Sequence, residues 1–502
     1  MTLRVVDLSE DTLYPVVAVP LQGSLVLYAE LRREKGLKKP LLKLTIKEQG
    51  SEDVLDSAEV PYDRVDKLMQ PRYASFRHLL KKGLGDITLV EFQGFLKTRV
   101  VRELVEKYEK YREEKKRERE ERLRKLEEEY REELEEIRKS PIKHILEVVD
   151  FYHVGDEAAK YQLIGVISSR FLPKDYRLHA VLQGPSSVGK NNLVNAFRKI
   201  TPKKWWFSVT RLTPRALDYM PRSLGRTILY IQEYEGMREA AYSARITISE
   251  GELTVSYVTR DPKTGEMKTV NRKILGTPVV ITTTTRISID EDMETRTLFI
   301  NLDESPEQTK KVIEHIKRLE TSIEEKEKKR ELAKKAKVLK LFFRTLKKYD
   351  VIIPEELLDG IEIPLTVRAR RDFKKIVNFI KAYAVLHQHT REKISVNGVE
   401  YIVASREDLE LVEKYVLPSI RIQTQNLTEK HIKALAVVES LKTVTARELA
   451  EEMSISYRYA KKLLDDLAEK GLLIVDTKSK PYKYSLSLNT HSITSYTGEN
   501  NE

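Results

Sequence analysis

Residues 178–200 hold the arrangement that most narrows what this chain can fold into. Leu178 to Gln183 is a short, mostly apolar run of strand length, and Gly184-Pro185-Ser186-Ser187-Val188-Gly189-Lys190 follows it directly. Asn191 and Asn192 come next, and then Leu193, Val194, Phe197 and Ile200 recur at helical spacing. A strand that feeds a helix through a glycine-containing loop ending in lysine is what a phosphate-cradling P-loop needs. The glycines let backbone N–H groups curl around an anion, Lys190 reaches outer phosphate oxygens, and the helix start adds positive potential. The contact set on this reading is Gly184, Ser187, Gly189, Lys190, Asn191 and Asn192, in an α/β domain. The plain alternative is a Gly-Ser turn that merely precedes a helix. One departure matters: the hydroxyl residue usual after the lysine is Asn191. Its amide oxygen can ligate Mg2+, but it is not the usual ligand, so slow hydrolysis is expected.

Downstream segments fit the same chemistry. Thr227 to Ile231 is an apolar strand that ends in Gln232-Glu233, where a Walker B strand places acids. Glu233 would polarise the attacking water, and Gln232 stands where an aspartate usually serves the metal. Pro278 to Ile281 leads into Thr282-Thr283-Thr284-Thr285, a strand end with hydroxyls, and Thr284 is the candidate sensor of the γ-phosphate or water. Glu294-Thr295-Arg296 precedes the strand from Thr297 to Leu302 and puts an arginine at a domain edge.

Together these residues resemble the ATPase domain of the minichromosome maintenance helicases. They resemble more closely the helicase-like domain joined to CHC-type zinc-finger primases in phage and plasmid replication proteins. The carrying residues are Gly184 to Lys190, Glu233-Tyr234-Glu235-Gly236, Ala241 to Arg245, Ser249 to Thr254, Arg260 to Gly265, Thr282 to Thr285 and Arg296 to Gln308. The resemblance spans roughly residues 145 to 420, with no zinc-finger or primase motif. It implies an AAA+ core with a helical lid, ATP and Mg2+ as cofactors, DNA as partner, and self-association into a ring, a hexamer, alongside other replication proteins. It further implies that Arg296 reaches a neighbouring subunit's nucleotide. Arg368 matches a nucleotide-sensing arginine that opens the lid, with Arg370 and Arg371 close enough to compete for that role.

Two regions are candidates for touching DNA. Leu253 to Val258 and Thr269 to Leu275 alternate around an Asp-Pro-x-x-Gly turn, the mark of a hairpin. Arg260, Lys263 and Lys268 would meet phosphate there, although a plain surface hairpin has the same pattern. Residues 427–488 read as a winged helix-turn-helix. Thr428 caps its first helix, Thr445 and Glu448 form a capping box on its second, and Tyr457 to Lys470 is its third. Arg458, Lys461 and Lys462 sit on that third helix, and Lys478, Lys480 and Lys483 lie at or near the wing tip. The nearly balanced charge of this segment leaves a protein-contact role as the plain alternative.

Length and composition set the remaining bounds. A chain of 502 residues suggests three or four domains. The segments are a β-rich or mixed domain at 1–96, a charged helical arm at 97–140 and the ATPase core at 141–304. A charged helical connector at 305–350, a helical lid at 351–426, the winged helix at 427–488 and a disordered tail at 489–502 complete them. The arm is expected to be a single helix from Val101 to Lys139, about 58 Å long, either a solvated spacer or a short coiled coil. A net charge of +12 suits a polyanionic partner as well as a plain charged surface. The absence of cysteine excludes disulfides, zinc ribbons and thiol catalysis. Adjacent Trp205 and Trp206 read as packing residues, and no apolar stretch reads as a membrane span. A charge-rich, cysteine-free chain of this kind is expected in the cytoplasm of a thermophile. Two functions stay open: a ring motor that pulls a strand through its pore, and a DNA-binding initiator whose ATP site switches assembly with little hydrolysis. Lys190, Glu233 and Arg296 favour the first, and Asn191 and Gln232 the second.

Overall fold

The computed structural model describes residues 3, 6–7, 16–32, 40–51, 53–210, 224–234, 251–260, 267–286, 291–363, 366–424, 427, 429–477 and 479–487. The chain forms two compact units. One is Met1–Arg131 with Pro214–Gly225 and Glu252–Gly276; the other is Glu132–Thr213 with Arg226–Gly251 and Thr277–Glu502.

The first unit opens with five antiparallel strands in sequence order. They are β1 (Val6–Asp7), β2 (Val16–Pro20), β3 (Leu25–Arg32), β4 (Leu41–Glu48) and β5 (Val54–Pro61). The two-residue period of a strand sends Val17, Val19, Leu27, Ala29, Leu31, Leu42, Leu44 and Ile46 into one core. Phe76 and Leu80 of α1 (Ala74–Leu84) and Phe92 of α2 (Leu89–Phe95) close it. The arm then begins as α3 (Val101–Glu129), of which only Val101, Leu104 and Tyr108 are buried. The single helix expected from Val101 to Lys139 is not formed. Tyr130 leaves helical geometry at φ −112°, ψ 33°, and α4 (Arg131–Lys139) starts afresh with Leu134 and Ile137 buried. The break falls where a solvated helix gives way to one with an apolar face to bury.

In the second unit α5 (Pro141–Tyr152) and α6 (Glu157–Ser168) lead to a five-stranded sheet. Its first strand, β6 (Ala180–Gln183), runs into helix α7 (Lys190–Ile200), and β7 (Trp206–Val209) and β8 (Ile228–Ile231) follow. Between β8 and the next core strand the chain makes an antiparallel ribbon, β9 (Glu252–Arg260) with β10 (Met267–Leu275), which belongs to the first unit. Its turn, including Lys263, and the side chains of Arg260 and Lys268 lie outside the described residues. The core resumes with β11 (Val279–Thr284), the single turn α8 (Glu291–Glu294) and β12 (Leu298–Asn301). The five core strands are all parallel, in the order β12-β6-β11-β8-β7. Ala180, Val181, Leu182, Ile228 to Ile231 and Val279 to Thr284 are buried, as expected of a parallel sheet covered on both faces. Because every strand points the same way, the loops that leave them gather at one edge, where open α/β sheets bind ligands.

Helices α9 (Pro306–Thr321) and α10 (Ile323–Thr345) come next, with N-caps Ser305 and Ser322 accepting from Gln308 N and Glu325 N. The segment after them, expected to be helical, carries a three-stranded sheet as well. In it β13 (Asp350–Ile352) pairs with the second strand of a hairpin that follows α11 (Ala369–Leu386). That hairpin is β14 (Lys393–Val396) and β15 (Val399–Val403), turned by Asn397 and Gly398 at φ 51° and 77°. An Asn-Gly pair tolerates two successive positive φ angles, which the tight hairpin turn demands, so local turn chemistry overrides the helical surroundings here. Helices α12 (Arg406–Tyr415) and α13 (Leu417–Thr424) precede the last cluster.

That cluster contains α14 (Glu429–Leu441), β16 (Thr443–Thr445), α15 (Ala446–Glu452), α16 (Tyr457–Glu469), β17 (Leu473–Asp476) and β18 (Lys483–Leu486). Leu435, Val438, Leu449, Leu464, Leu467 and Tyr484 form its core. Thr445 and Glu448 cap α15 reciprocally. On α16 the buried face is Ala460, Leu463, Leu464 and Leu467, which leaves Arg458, Lys461 and Lys462 exposed. Thr428 and Lys478 lie outside the described residues. Among the described residues no helix is long and apolar enough to cross a membrane.

Candidate functional site

The loop between β6 and α7 has the backbone that an anion cradle requires. Gly184, Ser187 and Gly189 take φ of 149°, 69° and 102°. Ser187 adopts the left-handed region without being glycine, a strained geometry typical of functional turns. A side chain at Gly189 would come within 3.1 Å of the His153 ring, so the loop can lie close to its neighbour only without one. Lys190 is buried, and its Nζ donates to the carbonyls of Gly184 and Pro185 at 2.6 Å each. The ammonium thus sits inside the loop it would help to close around a phosphate.

A group of residues that sequence reasoning missed supports the loop from behind. Asn192 Nδ2 donates to Tyr152 O at 2.9 Å. The His153 ring Nε2 lies 2.7 Å from Asp156 Oδ2, and Asp156 Oδ1 accepts from Asp303 N at 2.7 Å. Gln308 of α9 donates to Val154 O, and His315 bonds Phe151 O at 2.9 Å. The Tyr152-His153-Val154-Gly155-Asp156 turn therefore ties together the P-loop, the exit of β12 and α9. Between them lies a cleft of about 570 Å³, lined on one side by Ser187 and Gly189 and on the other by Val312 and Ile316. No local motif marks these residues, because their partners lie up to 164 positions away in the chain.

The other sequence candidates divide between the two edges of the sheet. Gln232 and Glu233 follow β8 at the edge where strands end, as Gly184 follows β6, and β11 lies between those two strands. The Thr283 hydroxyl donates to Gln232 O, tying the ends of β11 and β8 together. Thr284 Oγ1 accepts from Arg286 N at 3.0 Å, and Glu233 is exposed. Arg296 and Arg368 are elsewhere. Arg296 lies two residues before β12, at the edge where the parallel strands begin. Arg368 pairs with Glu294 at 2.8 Å and Asp372 at 3.2 Å, beside that same start of β12. Lys375 holds Asp372 at 2.9 Å and donates to Thr297 O, and Thr424 Oγ1 donates to Asp372. Burial, only partly offset by Asp372, lowers the Lys375 pKa. Arg371 donates to Thr295 Oγ1 at 2.6 Å. So Arg296 and Arg368 share one corner, and it is not the P-loop corner of their own chain.

A metal held by the protein beside the phosphates would need hard oxygen donors at positions 191 and 232. Asn191 Oδ1 already accepts from Tyr230 Oη at 2.7 Å. Burial pushes the Tyr230 phenol up to about 12, so it remains a donor at neutral pH. Gln232 presents a neutral amide where a carboxylate would be required. Asn191 and Gln232 thus offer neutral amide oxygens in place of the usual hydroxyl and carboxylate, and one lone pair of the Asn191 oxygen is taken by Tyr230. Among the described residues no group of three or more His, Asp or Glu could hold a metal.

A family model described as the MTBMA_p00010 P-loop domain matches residues 127–349. A curated relative, the protein MTBMA_p00010 of Methanothermobacter marburgensis, is 23% identical over 302 residues, or 59% of this chain. The match spans 37% of that relative's length. Among solved structures, a full-length MCM homolog from Methanopyrus kandleri aligns over 85% of this chain and 77% of its own, at 13% identity. The TM-score of that alignment is 0.38, too low to assign a shared fold. The family match and the loop geometry agree on one statement: this chain carries a P-loop domain within residues 127–349.

Proposed function

We propose that this chain is an ATP-binding, DNA-acting ATPase whose nucleotide site is completed by a second copy of itself, in a ring. The observation that supports this reading is the separation of Lys190 and Arg296 onto opposite edges of one parallel sheet. An arginine at the far edge cannot serve its own P-loop but can serve a neighbour's, where it would stabilise charge on the transferring phosphate. Arg368 shares that corner and would act with it. Within one copy, Lys190 and the N–H groups of the cradle hold the phosphates, Glu233 orients water and Thr284 senses the outer phosphate. The cleft beside Val312 and Ile316 accepts the base. DNA is contacted by the β9–β10 ribbon and by residues 427–488, a winged helix whose α16 presents Arg458, Lys461 and Lys462 to a groove.

A second reading, a nucleotide-controlled switch with little turnover, has its own support in the Tyr230–Asn191 bond and in Gln232. These residues offer only neutral amide oxygens to a metal, which favours slow hydrolysis. ATP turnover measured with and without DNA, beside strand displacement on a forked duplex, separates the two. DNA-stimulated turnover with displacement supports the motor. DNA binding with nucleotide-dependent assembly and negligible turnover supports the switch. Absence of nucleotide binding would overturn both.

A further inference from the structure

The edge where the parallel strands begin carries a second group of cations, at the starts of β6 and β8. Arg177 lies three residues before β6 and Arg226 two before β8, the strands that flank β11. A four-residue strand, about 13 Å of chain, separates this edge from the P-loop edge. Arg170 donates Nη2 to Arg226 O at 2.5 Å, and its guanidinium lies 3.5 Å from the centre of the Trp205 ring. Arg177 donates Nη1 to Ser169 O at 2.7 Å. Both arginines are more than nine-tenths buried, and the Nε of each is buried without a hydrogen-bond partner. Arg226 and Lys348 are exposed and lie within electrostatic reach of them. Arg226 also holds a positive φ of 61°, unusual for a residue that is not glycine.

Among the described residues, no opposite charge acts on this group. Each described charge that acts on Arg170, Arg177 and Lys348 is positive. Burial first, and then neighbouring cations, bring Arg170 down to about 9, Arg177 to about 10 and Lys348 to about 8. Charged groups are seldom buried without pairing, because desolvation is costly. The corner of Arg368 obeys that rule with Glu294 and Asp372. The Trp205 face offsets part of the cost for Arg170 alone. Two buried guanidiniums with unused N–H groups, rimmed by two exposed cations, form a receptor for an oxyanion that guanidinium forks can hold.

We propose that Arg170, Arg177, Arg226 and Lys348 form a second anion site, which binds a phosphate group. The chemistry is shared by free phosphate or pyrophosphate and by a nucleic-acid backbone. The site does not depend on the nucleotide reading, and only its nucleic-acid source rests on the DNA reading.

The test compares the full chain with its Arg226→Ala/Lys348→Ala variant. Both residues are exposed, so the fold should hold, and thermal melting checks that it does. Pyrophosphate binding is titrated with the P-loop saturated by a non-hydrolysable ATP analogue. If the P-loop binds no nucleotide, that failure shows in the analogue titration and belongs to the nucleotide reading alone; pyrophosphate is then titrated on the Lys190→Ala background. The expected result is a loss of pyrophosphate affinity on the order of tenfold or more, with analogue affinity unchanged. A labelled single-stranded oligonucleotide forms the second arm. Weaker binding there, with a salt slope smaller by about two, assigns the site to backbone phosphate; an effect on pyrophosphate alone assigns it to free phosphate. If both ligands bind the variant as they bind the parent, the proposal is overturned. It is overturned equally if such a variant loses self-association, which would point to a carboxylate from a neighbouring copy instead.

Discussion

At the edge of the core sheet where strands end, the cationic and amide groups belong to one continuous loop. Lys190 there donates to two carbonyls of that loop. At the β12 corner of the opposite edge, Arg368 and Lys375 are locked to Asp372 a turn away, and Arg368 also to Glu294, 74 residues away. The first arrangement leaves its cation ready to exchange carbonyls for an incoming phosphate. The second fixes its cations beside the start of β12 and so sets the position of Arg296. One sheet thus carries an anion cradle on one edge and a rigid arginine platform on the other.

The largest effect expected from breaking this pair falls on turnover. Arg296→Ala should lower ATP turnover on the order of 10³-fold while ATP affinity stays unchanged, read from steady-state hydrolysis and a binding titration. Unchanged turnover would leave the two edges without a shared role. The next effect is on stability. Asp372 is fully buried against Arg368, Lys375 and Thr424. Asp372→Ala should cost about 3 kcal/mol by denaturant titration, since it strands two cations at a buried corner. A cost below about 1 kcal/mol would mean that the platform relaxes without its carboxylate.

The cradle should respond through affinity instead. Lys190→Ala should weaken ATP binding on the order of tenfold or more, read from a binding titration. Equal affinity in parent and variant would remove the nucleotide from this edge. The smallest effect concerns the metal. Asn191→Thr with Gln232→Asp restores the usual oxygen donors, and a few-fold rise in Mg2+-dependent turnover is expected. In the parent, ATP affinity should be nearly the same with Mg2+ or with EDTA. A strong loss in EDTA would show that the Tyr230–Asn191 bond gives way to a ligated metal.

The two edges also differ in how far they can be read from the sequence. The P-loop is local: strand, loop glycines, lysine and helix lie within 23 successive residues, and its positive φ angles fall on Gly184, Ser187 and Gly189. The β12 corner is assembled across separations as large as 78 residues, from Thr297 to Lys375, so Glu294, unlike the nearby Asp372, carries no local signal as a partner. The same holds for His153, Asp156 and Gln308 behind the loop, and for the Tyr230–Asn191 bond. The β14–β15 hairpin is a different case. Its Asn397-Gly398 turn lies in plain view between short β-branched runs, and the helical pattern on both sides obscured it. The break at Tyr130 was hidden because charged residues of high helix propensity continue through it.

The central claim is that one copy supplies the cradle and another the arginine. Subunits carrying Arg296→Ala and subunits carrying Lys190→Ala, each inactive alone, are mixed and shown to co-assemble, and ATP hydrolysis is then measured. Some mixed interfaces pair an intact Lys190 with an intact Arg296, so part of the parent activity should return. Hydrolysis that stays at background in co-assembled mixtures would contradict the shared site and the ring built on it.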